Sequence, residues 1–287
     1  MKDVEAELRP HAAHAPMVYK TFVPPAPFDG FIENVWYWRG FDPGHAKDTI
    51  MASGRMGLMI NLDRDELSWY GGDGYATRNV LCGAALCGTH AHSFAIDAHQ
   101  PHMLGVQFKP GGAFAFFGGS ARAFKDIHLS LADIWGADAE RLHQRVVQAP
   151  APEDKIAILF RAMAERFGER AHHPAVALAL AAFDRTPHRV SVNDVACAAE
   201  VSQKKLIRLF AEEVGMTPKT YLRVARFQRV LARVHAAPSV DWMELVERHG
   251  YYDQPHFIRE FKEFSGFTPT EYFRLRGPYL QHVPLAN

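Results

Sequence analysis

A segment of the chain repeats itself after 51 residues, and this repeat limits what the second half can fold into. Residues 202–223 read SQKKLIRLFAEEVGMTPKTYLR, and residues 253–274 read DQPHFIREFKEFSGFTPTEYFR. Ten of the 22 aligned positions are identical. Two copies are too few for a solenoid, which needs at least about three repeats to bury its core. The repeat therefore predicts two similar subdomains.

Each copy carries the signals of a helix with defined ends. Ser202 and Asp253 suit the N-cap, because their side-chain oxygens can accept hydrogen bonds from the free amides of the first turn. Gly215 and Gly266 suit the position just after a helix, where the backbone is left-handed. A Thr-Pro pair follows each glycine, which is typical of the start of another helix. Each copy is thus a capped helix followed by a second one.

A shorter helix is predicted before each copy, at residues 191–199 and 239–249. A short helix, a tight turn and a second helix form the helix-turn-helix plan, in which the second helix enters the major groove of DNA. The second helices are predicted at about residues 203–213 and 254–264. On each, apolar residues gather on one side, and an arginine and a glutamine lie on the other. Arginine can pair bidentately with guanine, and glutamine with adenine.

The residues predicted to contact DNA share this outward-facing side or the first helical turn. They are Gln203, Lys204, Lys205, Ile207 and Arg208 in the first copy, and Gln254, Pro255, His256, Ile258 and Arg259 in the second. Ala211 is expected on the same outward face. The alternative is a generic helical domain with a solvated arginine on each surface. The repeat keeps the arginine and the glutamine in register with the core, which argues against that alternative.

A long helix is predicted between the copies, from Lys219 to about Ala236. At 1.5 Å per residue it spans roughly 27 Å. A rod of this length can hold two reading helices about one DNA turn apart, roughly 34 Å. Its arginines include candidates for phosphate contacts: Arg223, Arg226, Arg229 and Arg233.

The N-terminal half has a different pattern of apolar and turn-forming residues. Short apolar runs at residues 56–62, 68–70 and 103–108 are bounded by turns rich in glycine and proline, which predicts a β-sandwich or small barrel. From Pro152 to Phe167 the apolar spacing is helical. The apolar stripe of the helices near 139–167 either forms a dimer interface or packs onto its own β domain.

These patterns predict an α+β chain with a mainly β N-terminal domain, helices after it, and an all-α C-terminal domain with two helix-turn-helix units. The predicted divisions are a flexible tail (1–17), a regulatory domain (18–168), a linker (169–173), a DNA-binding domain (174–276) and a C-terminal tail (277–287).

Charge and composition restrict the partners. The net charge of the chain is zero, but residues 185–287 hold 15 Lys and Arg against 11 Asp and Glu, a net of +4, which permits a basic C-terminal half. No apolar run approaches the roughly 20 residues of a membrane span, and the N-terminus lacks the apolar segment of a signal peptide. Three cysteines make neither a disulfide framework nor a four-ligand zinc set. We therefore expect a cytoplasmic protein without a membrane partner.

Residues 174–276 resemble the DNA-binding domain of the AraC/XylS family of bacterial transcription regulators. The resemblance is carried by VSQKKLIRLFAEEVGMTPKTYLRVARFQRV and HGYYDQPHFIREFKEFSGFTPTEYFR. It implies seven helices with two helix-turn-helix units, no cofactor, no catalytic residue and no enzymatic activity. The implied partners are double-stranded DNA, a small-molecule effector, a second copy of the chain and, for an activator, RNA polymerase. The protein would be associated with the nucleoid when bound to DNA.

The family's base-reading positions correspond to residues already chosen above: Lys204, Ile207, Arg208, Gln254, Pro255 and Arg259. Two residues depart from the family pattern. Glu200 occupies a turn position usually held by glycine, and Pro255 stands where a hydrogen-bonding side chain is common. The second helix is therefore expected to depend on Gln254 and Arg259.

The segment from residue 88 to 102 contains four histidines: His90, His92, His99 and His102. A His-x-His followed by a carboxylate resembles the metal site of cupin barrels, and on a strand His90 and His92 would point the same way. However, Asp97 stands where cupins use glutamate, and no later strand clearly supplies another histidine. The alternatives are a cupin-like, metal-dependent enzyme domain fused to a DNA-binding domain, or polar strand residues with no bound metal. The second is the expectation.

Residues 103–135 resemble a poorly characterised domain that often precedes AraC-type DNA-binding domains, which implies a cupin-like regulatory β domain. Trp36, Tyr37, Trp38, Trp69 and Tyr70 line an effector pocket or belong to the core. Cys82 and Cys87 offer a third hypothesis, a chemical sensor, although no basic residue close in sequence lowers the pKa of either thiol.

Overall fold

The computed structural model describes residues 4–5, 17–168, 171–185 and 190–285. Within those ranges the strands are β1 (Val4–Glu5), β2 (Val18–Phe22), β3 (Ile32–Arg39), β4 (Lys47–Ile50), β5 (Gly57–Asn61), β6 (Glu66–Gly71), β7 (Thr77–Cys82), β8 (Ala84–Cys87), β9 (Phe94–Asp97), β10 (His102–Phe108), β11 (His128–Ser130) and β12 (His282–Pro284). The helices are α1 (Phe114–Phe117), α2 (Ala132–Trp135), α3 (Ala137–Gln148), α4 (Pro152–Arg166), α5 (Pro174–Arg185), α6 (Val192–Ala198), α7 (Gln203–Val214), α8 (Pro218–Ala236), α9 (Trp242–Arg248), α10 (Gln254–Ser265) and α11 (Pro269–Leu275).

The strands form two antiparallel sheets. The first has the order β1-β2-β3-β10-β5-β8-β11, and the second has the order β12-β4-β9-β6-β7. The predicted apolar runs are the strands β5, β6 and β10, and β10 lies at the centre of the first sheet because it pairs with both β3 and β5. The N-terminal half is therefore mainly β, as the short apolar runs predicted.

Helices α1 to α4 cover the first sheet. The buried residues of α4, namely Ile156, Leu159 and Met163, belong to the same apolar cluster as the strand residues Leu58 and Leu104. This decides between the two alternatives for the apolar stripe, because the stripe packs onto its own β domain. The stripe consequently no longer supports a dimer interface.

The C-terminal half contains seven helices within the described residues, α5 to α11, and the predicted α+β class is confirmed. Two separate cores support the two copies of the repeat. One joins α5, α6 and α7 around Phe183 and Phe210, and the other joins α8, α9, α10 and α11 around Phe227 and Phe261. Helix α8 reaches both cores through Tyr221 and Phe227, so it holds the two units together.

The predicted helix ends are confirmed by hydrogen bonds. The Ser202 side chain accepts from the amide of Lys205, and the Asp253 side chain accepts from the amide of His256. Gly215 and Gly266 end α7 and α10 in the left-handed region, with φ of 92° and 82°. Because these signals are local in sequence, the chain itself fixes where both helices start and stop.

The C-terminal residues return to the N-terminal half. Strand β12 pairs with β4, so Val283 lies opposite Thr49 at the edge of the second sheet. Residues after 276, expected to be a tail, thus contribute a strand that the predicted all-α domain did not include. Of the predicted flexible tail, only the backbone of Val4–Glu5, which pairs with β2, and Met17 lie among the described residues. In the predicted linker, residues 169 and 170 lie outside them.

In the described part of the chain, no helix combines the length and the apolar character needed to cross a membrane.

Candidate nucleic-acid interface

The first half of α7 is open to solvent. Gln203, Lys204, Lys205 and Arg208 are exposed, and Ile207 is 38% exposed although it is apolar. The Arg208 guanidinium donates to the Glu212 carboxylate one turn later, at 3.1 Å. This exposed pair holds the arginine along the helix surface, and it is weak enough to be exchanged for another acceptor.

The second half of α7 is covered. Helix α7 packs against the short 3₁₀ helix Ala121–Phe124 of the N-terminal half. Ala211 is 9% exposed and lies one turn before Gly215, where an added Cβ would come within 3.1 Å of the Ala121 carbonyl oxygen. The expectation that Ala211 belongs to the outward face was therefore wrong, because a contact between the two halves of the chain buries it.

Helix α10 presents a similar but smaller surface. Gln254, Pro255 and Arg259 are exposed. Ile258 is half-buried and packs against the apolar core of the second unit, which corrects its expected outward position. His256 is half-buried against the ring of Tyr251, at a centroid distance of 5.6 Å, and its Nε2 lies 3.7 Å from Glu260. The exposed polar residues of α10 are thus Gln254 and Arg259 in its first six residues, and Lys262 and Glu263 nearer its end.

Tyr252 is a residue of this surface that the repeat did not predict. The turn between α9 and α10 is one residue longer than the turn between α6 and α7: Gly250 corresponds to Glu200, and Tyr252 is the additional residue before the cap Asp253. Its side chain is 91% exposed. The sequence contained a signal for this residue: the two copies of the repeat are 50 residues apart before the turn and 51 residues apart after it.

Two arginines of α8 fix α10 in place instead of facing outward. Arg223 Nε donates to Glu260 at 2.8 Å, and Arg226 Nη2 donates to the same carboxylate at 2.6 Å. Glu260 is 2% exposed. Burial works to lower the Arg223 pKa, but the hydrogen-bonded carboxylates of Glu263 and Glu260 together outweigh it and raise the pKa. These arginines, expected to include phosphate contacts, therefore join α8 to α10.

The other two arginines of α8 differ from this pair. Arg229 donates to the backbone carbonyls of Asp184 and Arg185 at the end of α5, so it also has a structural partner. Arg233 is exposed near the end of α8. The expectation of a phosphate contact therefore stays open for Arg233.

The N-terminal half touches both second helices at their C-terminal ends. Thr89 Oγ1 donates to the carbonyl oxygen of Gly215 at 3.4 Å. At Gly266, an added Cβ would lie 2.9 Å from Tyr75 Oη and 3.1 Å from Ser93 Oγ. Thr89 and Ser93 belong to one turn, residues 88–93, between β8 and β9. A single turn of the β domain thus lies against the ends of both helices and leaves their N-terminal halves free.

The four histidines of the cupin-like hypothesis do not come together. His92 is exposed, the Nδ1 atom of His99 lies 3.6 Å from the Asp42 carboxylate, and His102 is hydrogen-bonded to the Tyr37 hydroxyl at 2.9 Å. His90 and His92 lie in a turn and not on a strand, so the strand alternation assumed for them was wrong. The expected grouping of the four is therefore not formed.

Of the aromatic residues considered for an effector pocket, the two tyrosines are buried and the three tryptophans are half-buried. Tyr37 and Tyr70 are 4% and 8% exposed, and Trp36 stacks on Trp38 with ring centroids 4.4 Å apart. Burial is the main cause that raises the pKa of both tyrosines. The burial of the two tyrosines matches the alternative in which they belong to the core.

Of the two cysteines considered for a chemical sensor, Cys82 is exposed on β7, whereas Cys87 is half-buried.

A cleft of about 890 Å³ lies between the two halves of the chain. The N-terminal half contributes Arg55, Gln107 and Lys109, and α8 contributes Gln228 and Arg229. The cleft contains none of the aromatic residues considered above. A small molecule in it would touch both the β domain and the helix that joins the two units.

Two units of short helix, turn and capped second helix, with exposed polar residues at the start of each second helix, define a DNA-binding helix-turn-helix protein. Residues 195–275 match the sequence model of a helix-turn-helix domain family. This region is therefore a helix-turn-helix domain, and the match supports a DNA-binding regulator. Residues 20–130 match a family described as a domain of unknown function (DUF6597).

Among solved structures, the chain is similar to two bacterial proteins. The C-terminal domain of AraT, a response regulator from Geobacillus stearothermophilus, is 24% identical, with a TM-score of 0.35, covering 38% of this chain and 93% of that one. ToxT from Vibrio cholerae, bound to an unsaturated fatty acid, is 12% identical, with a TM-score of 0.42, covering 93% of this chain and 97% of that one. No curated protein matches the sequence.

Proposed function

We propose that this chain is a one-component regulator whose helices α7 and α10 read adjacent major grooves, while the N-terminal domain controls how the two helices are held. The observation that carries the proposal is that the first two turns of both helices are exposed, whereas the C-terminal ends of the same helices contact the β domain. In helix-turn-helix complexes, the N-terminal residues of the second helix contact the base edges. The free ends are therefore the ends that DNA needs.

Arg208 and Arg259 are the central reading residues of the proposal. Both are exposed, and both lie five residues after the first residue of their helices, Gln203 and Gln254. Their equivalent positions in the two copies suit bidentate contacts to guanine, with the glutamines placed for adenine. Lys204, Lys205 and Pro255 complete the proposed surface, with Ile207 suited to a thymine methyl group. Ile258, being half-buried, has a smaller role, and His256 is placed for a phosphate contact.

Helix α8 sets the spacing between the reading helices. It has 19 residues, so it is about 28 Å long, close to the roughly 34 Å of one DNA turn. Its ion pairs to Glu260 attach α10 to it, and its Tyr221 lies in the core that holds α7. The length and attachment of α8 support simultaneous contact of both helices with one face of the duplex.

The proposal is tested by selecting bound sequences from a random DNA library and measuring the affinity of the full chain for the selected site. Arg208→Ala and Arg259→Ala should each weaken binding by about 1–3 kcal/mol and relax the preference at one position, because each removes one base contact. Arg145→Ala is the matched control, since Arg145 is an exposed arginine on α3 of the N-terminal half. If both reading variants bind as tightly as the control, the assignment of the reading face is wrong.

The regulatory part of the proposal is that the β domain senses an effector and passes its state to the DNA-binding helices. Support comes from the turn at residues 88–93 and from the pairing of β12 with β4, both of which join the two halves. Dimerisation remains a prediction, but the apolar stripe of α4 is no longer its expected interface. Light scattering at micromolar concentration tests whether the chain forms a dimer. The contact with RNA polymerase belongs to the same proposal, for the case of an activator.

A further inference from the structure

A cysteine and two histidines meet beside the turn that touches both second helices. The sulfur of Cys87 and one ring nitrogen each of His90 and His128 lie within 4.8 Å of one another. Among the described residues this is the one group of three or more Cys, His, Asp or Glu side chains close enough to hold a metal ion. Neither the predicted DNA surface nor the cupin-like hypothesis uses this set.

The β-sheet brings two of the three residues together. Cys87 ends β8 and His128 begins β11, and the two residues are directly opposite each other in the antiparallel pairing. Directly opposed residues project to the same face of a sheet, with Cβ atoms about 5 Å apart. The pairing therefore places a sulfur and an imidazole side by side, although 41 positions separate them in the sequence.

The third residue, His90, is brought back by a tight turn. Gly88 permits the turn, because an added Cβ would lie 1.7 Å from the Phe124 carbonyl oxygen. Asp126 holds it, since its amide donates to Thr89 and its carboxylate accepts from the amide of Ala91 at 3.0 Å. The rings of His90 and His128 then lie with centroids 4.4 Å apart. The result is a Cys-x-x-His corner that faces a histidine on the neighbouring strand of the sheet.

Both imidazoles keep a nitrogen available. His90 is 8% exposed, and the Nε2 atoms of His90 and His128 are buried without a hydrogen-bond partner among the described residues. On the other side of the His90 ring, Nδ1 lies 4.0 Å from the Asp126 carboxylate. Metal-binding histidines commonly have this arrangement, in which one nitrogen is oriented by an oxygen and the other is free to coordinate.

We propose that Cys87, His90 and His128 bind one thiophilic metal ion, with Zn²⁺ as the expected occupant and the fourth position open to water or an external ligand. One thiolate and two imidazoles suit Zn²⁺ better than a hard cation, which prefers oxygen. Rings of Trp69 and Phe94 pack against the histidines at centroid distances of 4.5–4.7 Å, which excludes most solvent from the site.

Binding exchanges one proton for the metal. The Cys87 S–H bond breaks, the sulfur electron pair forms the bond to Zn²⁺, and the proton passes to solvent. Burial raises the pKa of the Cys87 thiol to about 12, so the thiol holds its proton until a metal replaces it. Burial also lowers the pKa of His90 to about 4 and that of His128 to about 3, so both imidazoles are neutral near pH 7. They can therefore coordinate without releasing protons.

The position of the site gives the metal a regulatory effect, and this part rests on the proposed function. Thr89 and Ser93 lie in the same turn as His90 and contact the ends of α7 and α10. A metal bond to His90 would restrict this turn and, through it, the relative placement of the two helices. A first ligand that rigidifies the protein lowers the entropic cost for the second ligand. Bound Zn²⁺ should therefore increase the affinity for DNA.

The metal site is tested on the full-length, metal-free protein by titration with Co²⁺, a spectroscopic substitute for Zn²⁺. We expect saturation at one equivalent with an absorption band from thiolate-to-cobalt charge transfer, and Zn²⁺ should abolish the band by displacement. Cys87→Ser should remove the charge-transfer band, and His128→Phe should weaken Co²⁺ binding at least about ten-fold. Cys82→Ser and His92→Gln are matched controls at exposed positions and should titrate like the wild type.

Two outcomes overturn the metal site. One is the absence of the charge-transfer band in the folded wild type. The other is a band that persists in Cys87→Ser or disappears in Cys82→Ser, because the metal would then lie elsewhere. Circular dichroism of each variant separates loss of the ligand from loss of the fold. None of these measurements involves DNA, so they stand even if the proposed function fails.

The regulatory effect is tested separately, with the selected DNA site and with Zn²⁺ or a chelator. We expect Zn²⁺ to tighten DNA binding about five-fold or more in the wild type, and to have no effect in Cys87→Ser. Thr89→Val should bind Zn²⁺ normally but show a smaller effect on DNA, because it loses the hydrogen bond to Gly215. Equal DNA affinity with and without Zn²⁺, in a protein that binds the metal, overturns the regulatory effect and leaves the site intact.

Discussion

Arg226 donates two hydrogen bonds to the same carboxylate oxygen of Glu260, through Nε at 3.1 Å and through Nη2 at 2.6 Å. The carboxylate is 2% exposed, and its other oxygen accepts from Arg223 at 2.8 Å. A buried carboxylate between two guanidinium groups joins α10 to α8, the helix that holds the two units together. The orientation of α10 therefore depends on a polar contact in addition to its apolar face.

Glu260→Gln should destabilise the protein by about 2–3 kcal/mol, because two arginines lose their charged partner while Arg226 stays largely buried. Urea denaturation at pH 7 measures the change. Glu244→Gln is the control: its pair with Arg248 is exposed at 3.7 Å, and its loss should cost no more than about 0.5 kcal/mol. Equal effects of the two substitutions would show that the buried carboxylate does not hold α10.

Glu200→Gly should stabilise the protein by about 1 kcal/mol. Glu200 is exposed in the turn between α6 and α7 with φ of 53°, a left-handed conformation that costs a residue with a Cβ about 1–2 kcal/mol. Glycine adopts this conformation without the cost, although it also gains more entropy on unfolding. Glu200→Ala keeps the Cβ and should show no such gain in thermal denaturation. A stabilising alanine would point to the glutamate charge as the cause.

Gly215→Ala should destabilise the protein more than Gly74→Ala. Both glycines are left-handed, with φ of 92° and 63°, so both substitutions carry backbone strain. At Gly215 the new Cβ would also lie 2.6 Å from Thr89 Oγ1, whereas nothing lies within 4 Å at Gly74. The additional loss, which we expect to be about 1–3 kcal/mol, measures the contact between α7 and the β domain. If the two substitutions destabilise the protein equally, the contact between α7 and the β domain accommodates the new methyl group with no loss of stability.

Asp48→Asn should reduce stability above pH 4 and have progressively less effect at lower pH. Burial works to raise the Asp48 pKa, but hydrogen bonds from His282 and His45 outweigh it and hold the pKa below its ordinary value. A lowered native pKa means that the stabilisation is present above the ordinary pKa, near 4, and is lost as the pH falls through the native value. We expect a difference of about 1–2 kcal/mol at pH 7.

Urea denaturation from pH 7 to pH 3 measures the effect of Asp48→Asn. Asp133→Asn, at an exposed position on α2, is the control and should change stability little at any pH. Because His282 lies in β12, the substitution also tests whether the C-terminal strand stabilises the β domain. A difference from wild type that stays constant down to pH 3 would contradict the role of the Asp48 charge.

Much of the DNA-binding half could be predicted because its signals are local. Caps, terminating glycines and the apolar spacing of α7 and α10 all act within a few residues, and the structure has them where the repeat put them. The strands β5, β6 and β10 were found for the same reason. In contrast, the conformation of residues 90–92 was predicted wrongly, because a His-x-His pattern is equally compatible with a strand and with a turn.

The sequence by itself determined the two helix-turn-helix units, since backbone capping and side-chain periodicity depend on neighbours in the chain. Only the tertiary structure decided which polar residues are free and which are engaged. Glu260 meets Arg223 across two helices, Ala211 is covered by a segment from the other half, and strand pairing sets Cys87 opposite His128. These contacts join residues 37 to about 90 positions apart, and no local pattern encodes such a pairing because it arises only when the separate elements pack together.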